Sequence, residues 1–269
     1  MHSLFDLSGK VSVVIGATGA LGGAIADALA AAGSRVAVCG RNADRGGERC
    51  QKIQKAGGEA AFFEVNASSP ESVKFVETQI SEALGIPSIL VNAAGGNDPK
   101  VTVTADHPFE AITLENWGAN FDLNLVGGAL VPCQIFGPGF CERGGGSIIN
   151  IASVSAHLPL SRVVAYSAAK AAALSLTLFL AREWAPHNVR VNSITPGFFP
   201  ADQNRALLFQ ADGTPTPRAQ SILGHTPMGR FGTPGELAGA AVFLASDAAS
   251  GFVTGTDLRV DGGFLSQTI

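Results

Sequence analysis

An α/β fold is predicted for this 269-residue chain, built as one parallel sheet of about seven strands with helices on both faces. Three observations predict it. Short β-branched runs recur along the chain, helix-forming segments alternate with them, and the first strand runs straight into a glycine-rich turn that opens a helix.

The strand runs are Val11 to Ile15, Val36 to Val38, Ala60 to Val65, Ile89 to Val91, Ser147 to Ile151, Val189 to Ile194 and Phe252 to Val260. Most are apolar throughout rather than alternating, as expected of strands covered on both faces. Between them, Leu21 to Ala32, Ala43 to Ala56, Pro70 to Leu84, a long segment near Leu114 to Phe136, Tyr166 to Ala185 and Pro234 to Leu244 read as helices. Ser69-Pro70 supplies an N-cap and a first-turn proline, while Gly33 and Gly57-Gly58 stand just past helix ends. The βα alternation then requires right-handed crossovers and a parallel sheet. Residues 198–227 break the rhythm with Pro200, Gly213, Pro215, Pro217 and Pro227, and read either as a substrate lid or as a solvated loop with a short helix.

With 46% hydrophobic and 15% charged residues, and no repeat or linker, residues 1–269 suit one domain with a substantial core. The formal charge of −4 and the lack of any lysine or arginine run speak against a nucleic-acid partner. Cys39, Cys50, Cys133 and Cys141 form neither a C-x-x-C pair nor a dense disulfide pattern, so reduced thiols in a cytoplasmic protein are expected, and no metal site. The N-terminal residues lack the basic and apolar regions of a secretory signal. Ala171 to Ala181, bounded by Lys170 and Arg182, is too short to span a bilayer, so no membrane association is expected.

Ile15-Gly-Ala-Thr-Gly-Ala-Leu-Gly22 follows the first strand and enters a helix. Glycines there let the backbone approach a pyrophosphate, whose charge the helix N-terminus favours. After the second strand, where a carboxylate would ordinarily bind the adenosine ribose, the chain reads Cys39-Gly40-Arg41-Asn42. An arginine and no acid favours NADP, with NAD possible; an arginine in solvent is the plainer alternative.

Tyr166 and Lys170 stand one helical turn apart, on the same helix face. A lysine cation near a phenol favours the phenolate, and moving the pKa from ~10 toward ~7 requires ~4 kcal/mol. Tyr166 is the chain's only tyrosine. Alone, the pair also describes a surface lysine over a half-buried tyrosine.

Gly16-x3-Ala20-x-Gly22, Asn92-Ala-Ala-Gly95, Asn124, Ser153, Tyr166-x3-Lys170 and Pro196-Gly197 together resemble the short-chain dehydrogenase/reductase family in order and spacing, over essentially the whole sequence. The resemblance implies a single Rossmann-type, doubly wound domain with a seven-stranded parallel sheet, a nicotinamide cofactor, a small-molecule substrate, and homotetramers or homodimers. It implies Tyr166 as proton donor or acceptor and Ser153 holding the substrate oxygen. Lys170 would bind the nicotinamide ribose and lower the tyrosine pKa, and Asn124 would support a proton relay through water. It further implies cofactor contacts from Gly16, Thr18, Ala20, Leu21, Gly22, Arg41, Asn66, Asn92, Ala93, Gly95, Tyr166, Lys170, Pro196 and Gly197. Ile15, Ala20 and Asn66 depart from the threonine, glycine and aspartate common in the family. Hydride transfer to a carbonyl builds negative charge on oxygen, so donors from Ser153 and Tyr166 would act in the transition state.

Residues 94–100 and the tract from Pro196 to Gly232 resemble a narrower branch of this family, the D-mannonate oxidoreductases, also called D-fructuronate reductases. That implies a sugar-acid substrate, for which Asn97, Lys100, Ser153, Gln203, Asn204 and Arg205 offer cationic and hydrogen-bonding groups. Arg205 equally suits a surface or inter-subunit salt bridge. Gly40 departs from the acidic residue expected in this branch. His157 could reach substrate or be a plain loop histidine. A 3-oxoacyl or other keto reductase of the same family is the competing enzyme reading, and a dinucleotide-sensing binding protein the non-enzyme one.

Overall fold

The computed structural model describes residues 4–268, apart from the side chains of Asp202, Gln203 and Ala206. Seven strands, β1 (Val11–Ile15), β2 (Arg35–Gly40), β3 (Ala60–Glu64), β4 (Ile89–Asn92), β5 (Gly146–Ile151), β6 (Val189–Pro196) and β7 (Asp257–Val260), form one parallel sheet in the order β3-β2-β1-β4-β5-β6-β7. Between β1 and β4 the order reverses, and connections leave the sheet in opposite directions. That opens a crevice at the carboxyl ends of these strands.

Each strand feeds two cores, because successive side chains point to opposite faces. Val14, Val36, Val38 and Val91 pack on one face with Ile25 and Leu29 of α1 (Ala20–Ala31) and Leu244 of α9 (Ala238–Ala245). Val13, Ile15, Ala37, Cys39 and Leu90 pack on the other. There they meet Val73 and Ile80 of α3 (Pro70–Ala83), Phe136 and Phe140 of α5 (Val131–Glu142), and Leu180 of α6 (Val164–Trp184). Caps hold the helix starts as predicted: Ser69 Oγ accepts from Ser72 N–H at 3.2 Å. In α2 (Ala43–Lys55), Asn42 Oδ1 accepts from Arg45 N–H at 2.9 Å. Such caps are worth about 1 kcal/mol each.

Four local expectations are corrected. The last strand begins at Asp257, not Phe252: Gly255 takes φ +72° and Phe252 is fully exposed, so this stretch is a turn. The long helix runs to Glu142, as α4 (Leu114–Phe121), a π-helical stretch at Asp122–Leu130, and α5. Leu114–Glu142 and Val164–His187 are long and apolar enough to cross a bilayer by length and composition, although Ala171 to Ala181 alone is too short. Both instead lay apolar side chains on the sheet. Residues 198–227 carry two helices, α7 (Asp202–Leu208) and α8 (Pro217–His225). They close over a small core of Leu208, Ala219 and Ile222. The short α10 (Asp247–Ser250) completes the set.

Candidate active site

The turn after β1 is built for close approach. Gly16 has φ +90°, and a Cβ there would lie 2.6 Å from backbone atoms of Ala93 and Ala94. A Cβ on Gly22 would meet Gly16 O at 2.4 Å. Thus Gly16, Gly22 and Ala93 press the β1 turn, α1 and the end of β4 together. Gly19, the N-cap of α1, offers no side chain to the first N–H groups of that helix. Donors left without a cap at a positive helix end suit a pyrophosphate, so the residues present fit a dinucleotide. Thr18, Ala20 and Leu21 line the same turn, all partly accessible.

Around the adenosine end, Arg41, Asn66, Glu64, Val65 and Ser72 line a cleft of about 550 Å³. Arg41 is exposed, and among the described residues no carboxylate pairs with it. Behind it, a Cβ on Gly40 would lie 2.7 Å from Thr18 Cγ2 and Oγ1. Thr18 therefore occupies the space that an acidic side chain at position 40 would need.

The residues expected to be catalytic converge at the carboxyl ends of β4 and β5. Ser153 caps a 3-10 turn, Val154–Ala156, and its Oγ accepts from Ser155 N–H at 3.2 Å and from Ser155 Oγ at 3.1 Å. With those lone pairs engaged, its own proton is free to donate. Ser153 also stands close enough to the Tyr166 hydroxyl to lower its pKa. Lys170 is buried; its Nζ donates to Ile151 O at 2.7 Å and lies 5.8 Å from the Tyr166 ring centroid. A Cβ on Gly95 would meet Asn124 Oδ1 at 2.7 Å and Lys170 Nζ at 3.3 Å, so Gly95 sits where these residues meet.

Asn124 lies in the π-helical stretch, a distortion frequent at functional sites. Its amide is fully committed: Oδ1 accepts from Gly96 N–H at 2.8 Å, and Nδ2 donates to Gly96 O at 2.8 Å and Asn120 O at 3.0 Å. It pins the Gly95-Gly96 backbone. The Asn92 side chain, expected at the cofactor, is turned into the core. Its Nδ2 donates to Asn150 Oδ1 at 2.8 Å, and Asn150 donates on to Thr177 Oγ1 at 2.9 Å. Pro196-Gly197 ends β6, with Gly197 N–H donating to Val260 O at 2.9 Å.

The polar loop residues behave differently. Asn97 Nδ2 donates to Thr102 Oγ1 at 2.6 Å, and Lys100 is exposed on the 3-10 turn Pro99–Val101. Asn204 is used by its own helix: Oδ1 accepts from Ala201 N–H at 2.7 Å and Nδ2 donates to Phe199 O at 3.0 Å. Exposed Arg205 lies 5.5 Å over the Phe209 ring. The Gln203 side chain lies outside the described residues. His157 turns away into a polar cluster, with Nε2 3.0 Å from Asp257 Oδ2, while Thr195 and Ser193 donate to Asp257 Oδ1 at 2.7 Å each. It ties the serine turn to β6 and β7. Sequence reasoning missed Ser155 and that clamp; a second serine two residues after Ser153 was the one available signal.

A family model described as enoyl-(acyl carrier protein) reductase matches residues 16–265. An uncharacterised oxidoreductase of Haemophilus influenzae is 39% identical, covering 98% of this chain and 95% of that protein. The chain belongs to the short-chain dehydrogenase/reductase family. Among solved structures, a candidate D-mannonate oxidoreductase from Haemophilus influenza with bound NAD superposes with a TM-score of 0.91 at 37% identity, covering 98% of this chain and 97% of that one. A gluconate 5-dehydrogenase from Burkholderia cenocepacia, in complex with NADP and tartrate, gives a TM-score of 0.87 at 31% identity and covers 98% of each. This short-chain dehydrogenase/reductase is accordingly a nicotinamide-dependent oxidoreductase acting on CH–OH groups.

In this reductase the sign of the tyrosine shift differs from expectation. Burial pushes the Tyr166 pKa up, and the neighbouring Ser153 only partly offsets it. Burial also brings the Lys170 pKa down, to about 8 from the ordinary 10.5. A lysine whose folded pKa is depressed carries its full burial cost below pH 8. That cost is relieved as pH rises from about 8 to 10.5, where the unfolded chain binds more protons. The relief amounts to roughly 3 kcal/mol at most. Denaturant melts are expected to show wild type gaining stability over Lys170→Met across that window; a constant difference would refute the assignment.

Proposed function

We propose that this reductase interconverts a keto group and a secondary alcohol on a sugar acid of the D-fructuronate/D-mannonate type, with NADP the preferred cofactor. The observation that carries the chemistry is the convergence of Ser153, Tyr166 and Lys170 beside Gly95. The bound nicotinamide supplies or takes the hydride. Ser153 Oγ and Tyr166 Oη donate to the substrate oxygen, and these bonds strengthen as negative charge develops there. Tyr166 passes its proton to that oxygen in reduction and receives it in oxidation. Lys170, held on Ile151 O, keeps a cation beside the phenol and would bind the ribose of the cofactor. Asn124 fixes the Gly95-Gly96 floor and stands next to the water relay that the family uses.

Supporting the substrate class are the sugar-acid relatives in structure and the polar groups on bordering loops. Residues 198–227 act as the lid, and Asn97, Lys100 and Arg205, with Gln203 by residue type, contact the substrate. Asn204 positions the lid helix instead. The panel that tests this reading is D-fructuronate and D-mannonate against other keto and hydroxy acids, each with both cofactors. Turnover of acyl thioesters and of no sugar acid would favour an acyl reductase.

Support for NADP comes from Arg41, open in the adenosine cleft, and from Thr18, which fills the place of a ribose-binding carboxylate. Arg41→Ala is expected to raise the Kd for NADPH about 10- to 100-fold, as loss of a charge-assisted phosphate contact, and to shift NADH far less. Fluorescence titration of both cofactors checks it, and tighter binding of NADH by wild type would reverse the assignment.

Self-association into a homodimer or homotetramer belongs to the same proposal. Leu178 and Phe179 on α6 and Leu114 on α4 are exposed, and a second copy would cover them. A cytoplasmic setting accords with four free cysteines, three of them buried.

A further inference from the structure

Two arginines far apart in the sequence stand near one another beside the loop that leads into the Tyr166 helix, and among the described residues no carboxylate pairs with either. Arg162 lies on the loop joining the Ser153 turn to α6, four residues before Tyr166, hence at most ~15 Å from it along the backbone. Its carbonyl accepts from Val103 N–H at 2.8 Å, which fastens the loop bearing Asn97 and Lys100 to this point. Arg218 comes from α8, the second helix of the lid, and its Nη1 donates to Ser161 Oγ at 3.2 Å. Three loops that border the catalytic residues therefore meet at Arg162 and Arg218.

Electrostatically the arrangement is unfavourable as it stands. Among the described residues neither guanidinium has a carboxylate partner, and neither 157–163 nor α8 contains an acidic residue. Arg218 occupies the first turn of α8, the end where the helix dipole is positive and a cation is disfavoured. It is half-buried, and burial together with the charge of Arg162 holds its pKa below the usual arginine range. Arg162 itself adopts φ +75°, in the left-handed region that non-glycine residues avoid. Two guanidinium groups and the start of α8, where Thr216 Oγ1 accepts from Ala219 N–H at 3.2 Å, are thus brought close together.

We propose that Arg162 and Arg218 form an anion subsite that receives the carboxylate of the substrate, at the place where the lid helix α8 meets the 157–163 loop. This rests on the sugar-acid reading and names the groups that recognise the acid. The carboxylate is held by the lid and the pre-α6 loop, so it lies apart from the carbonyl that Ser153 and Tyr166 engage. Arg205, leaning on Phe209, and Lys100 are then left for hydroxyl groups or solvent.

The test compares D-fructuronate with its uncharged methyl ester, using NADPH, in wild type, Arg162→Gly and Arg218→Gln. Glycine suits the left-handed backbone at 162, and glutamine keeps a donor for Ser161, so both variants retain the fold. The expected result is a KM for the acid raised about 10- to 100-fold more than that for the ester, with partial rescue by Arg218→Lys. Acid and ester rising together, or an acid KM that does not move, would overturn the subsite. Calorimetric titration of the NADP-loaded proteins with tartrate gives a second measure, expected to weaken at least tenfold in each variant. Should wild type reduce no sugar acid while tartrate binding still depends on both arginines, the substrate reading fails and the subsite stands. Should wild type reduce D-fructuronate while neither measure responds to the variants, the subsite fails and the substrate reading stands.

Discussion

Tyr166→Phe is expected to lower kcat about 10³-fold in both directions while leaving the cofactor Kd close to wild type. In the proposed mechanism the phenol exchanges a proton with the substrate oxygen, and positioned acid–base catalysis contributes roughly 10²- to 10⁴-fold. Phenylalanine keeps the ring against Lys170, so the fold is retained and the loss is chemical. The raised pKa sets the pH dependence. In the free enzyme the phenol stays protonated through neutral pH, so kcat/KM for reduction holds until the alkaline limb. Oxidation needs the deprotonated form and its kcat/KM climbs with pH. Steady-state rates from pH 6 to 10 on both enzymes check this, and an active Tyr166→Phe with an unaltered profile would remove Tyr166 from the mechanism.

Gly16→Ala is expected to cost both stability and cofactor binding. The left-handed backbone alone disfavours alanine by about 1–2 kcal/mol. The added methyl would also press on the Ala93-Ala94 backbone at 2.6 Å, which no rotamer change can relieve. Either the β1 turn or the end of β4 must shift, and both border the place where a pyrophosphate is expected to bind. A fall in melting temperature of several degrees and a rise of at least about tenfold in NADPH Kd are expected. Gly47→Ala is the control: it lies inside α2 with nothing within 4 Å of the added Cβ, and should stabilise by roughly 0.5–1 kcal/mol. Wild-type cofactor affinity in Gly16→Ala would disprove the close-approach argument.

Much of the fold was legible because its signals are local. Continuous apolar runs mark strands buried on both faces, and the six predicted helices start within two residues of those observed, apart from a 3-10 turn opening the last. Phe252 misled because an apolar run says nothing of a backbone turn at Gly255 three residues later. In residues 198–227 the prolines read as breaks, yet Pro217 opens α8, where its missing N–H costs nothing. The site was legible as a set of residue types at fixed spacing, and less so as roles: Asn92 and Asn204 carry the right chemistry but spend it on the core and on a helix start.

By itself, the sequence determined the strand and helix periodicities, the β1 turn and the Ser153, Tyr166 and Lys170 spacing, since each depends on neighbours a few residues away. Only the tertiary structure decided the direction of the tyrosine shift, the His157 clamp to Asp257 and the meeting of Arg162 with Arg218. Burial and charge act through space, and their strength depends on which distant segments pack together and how much water they exclude.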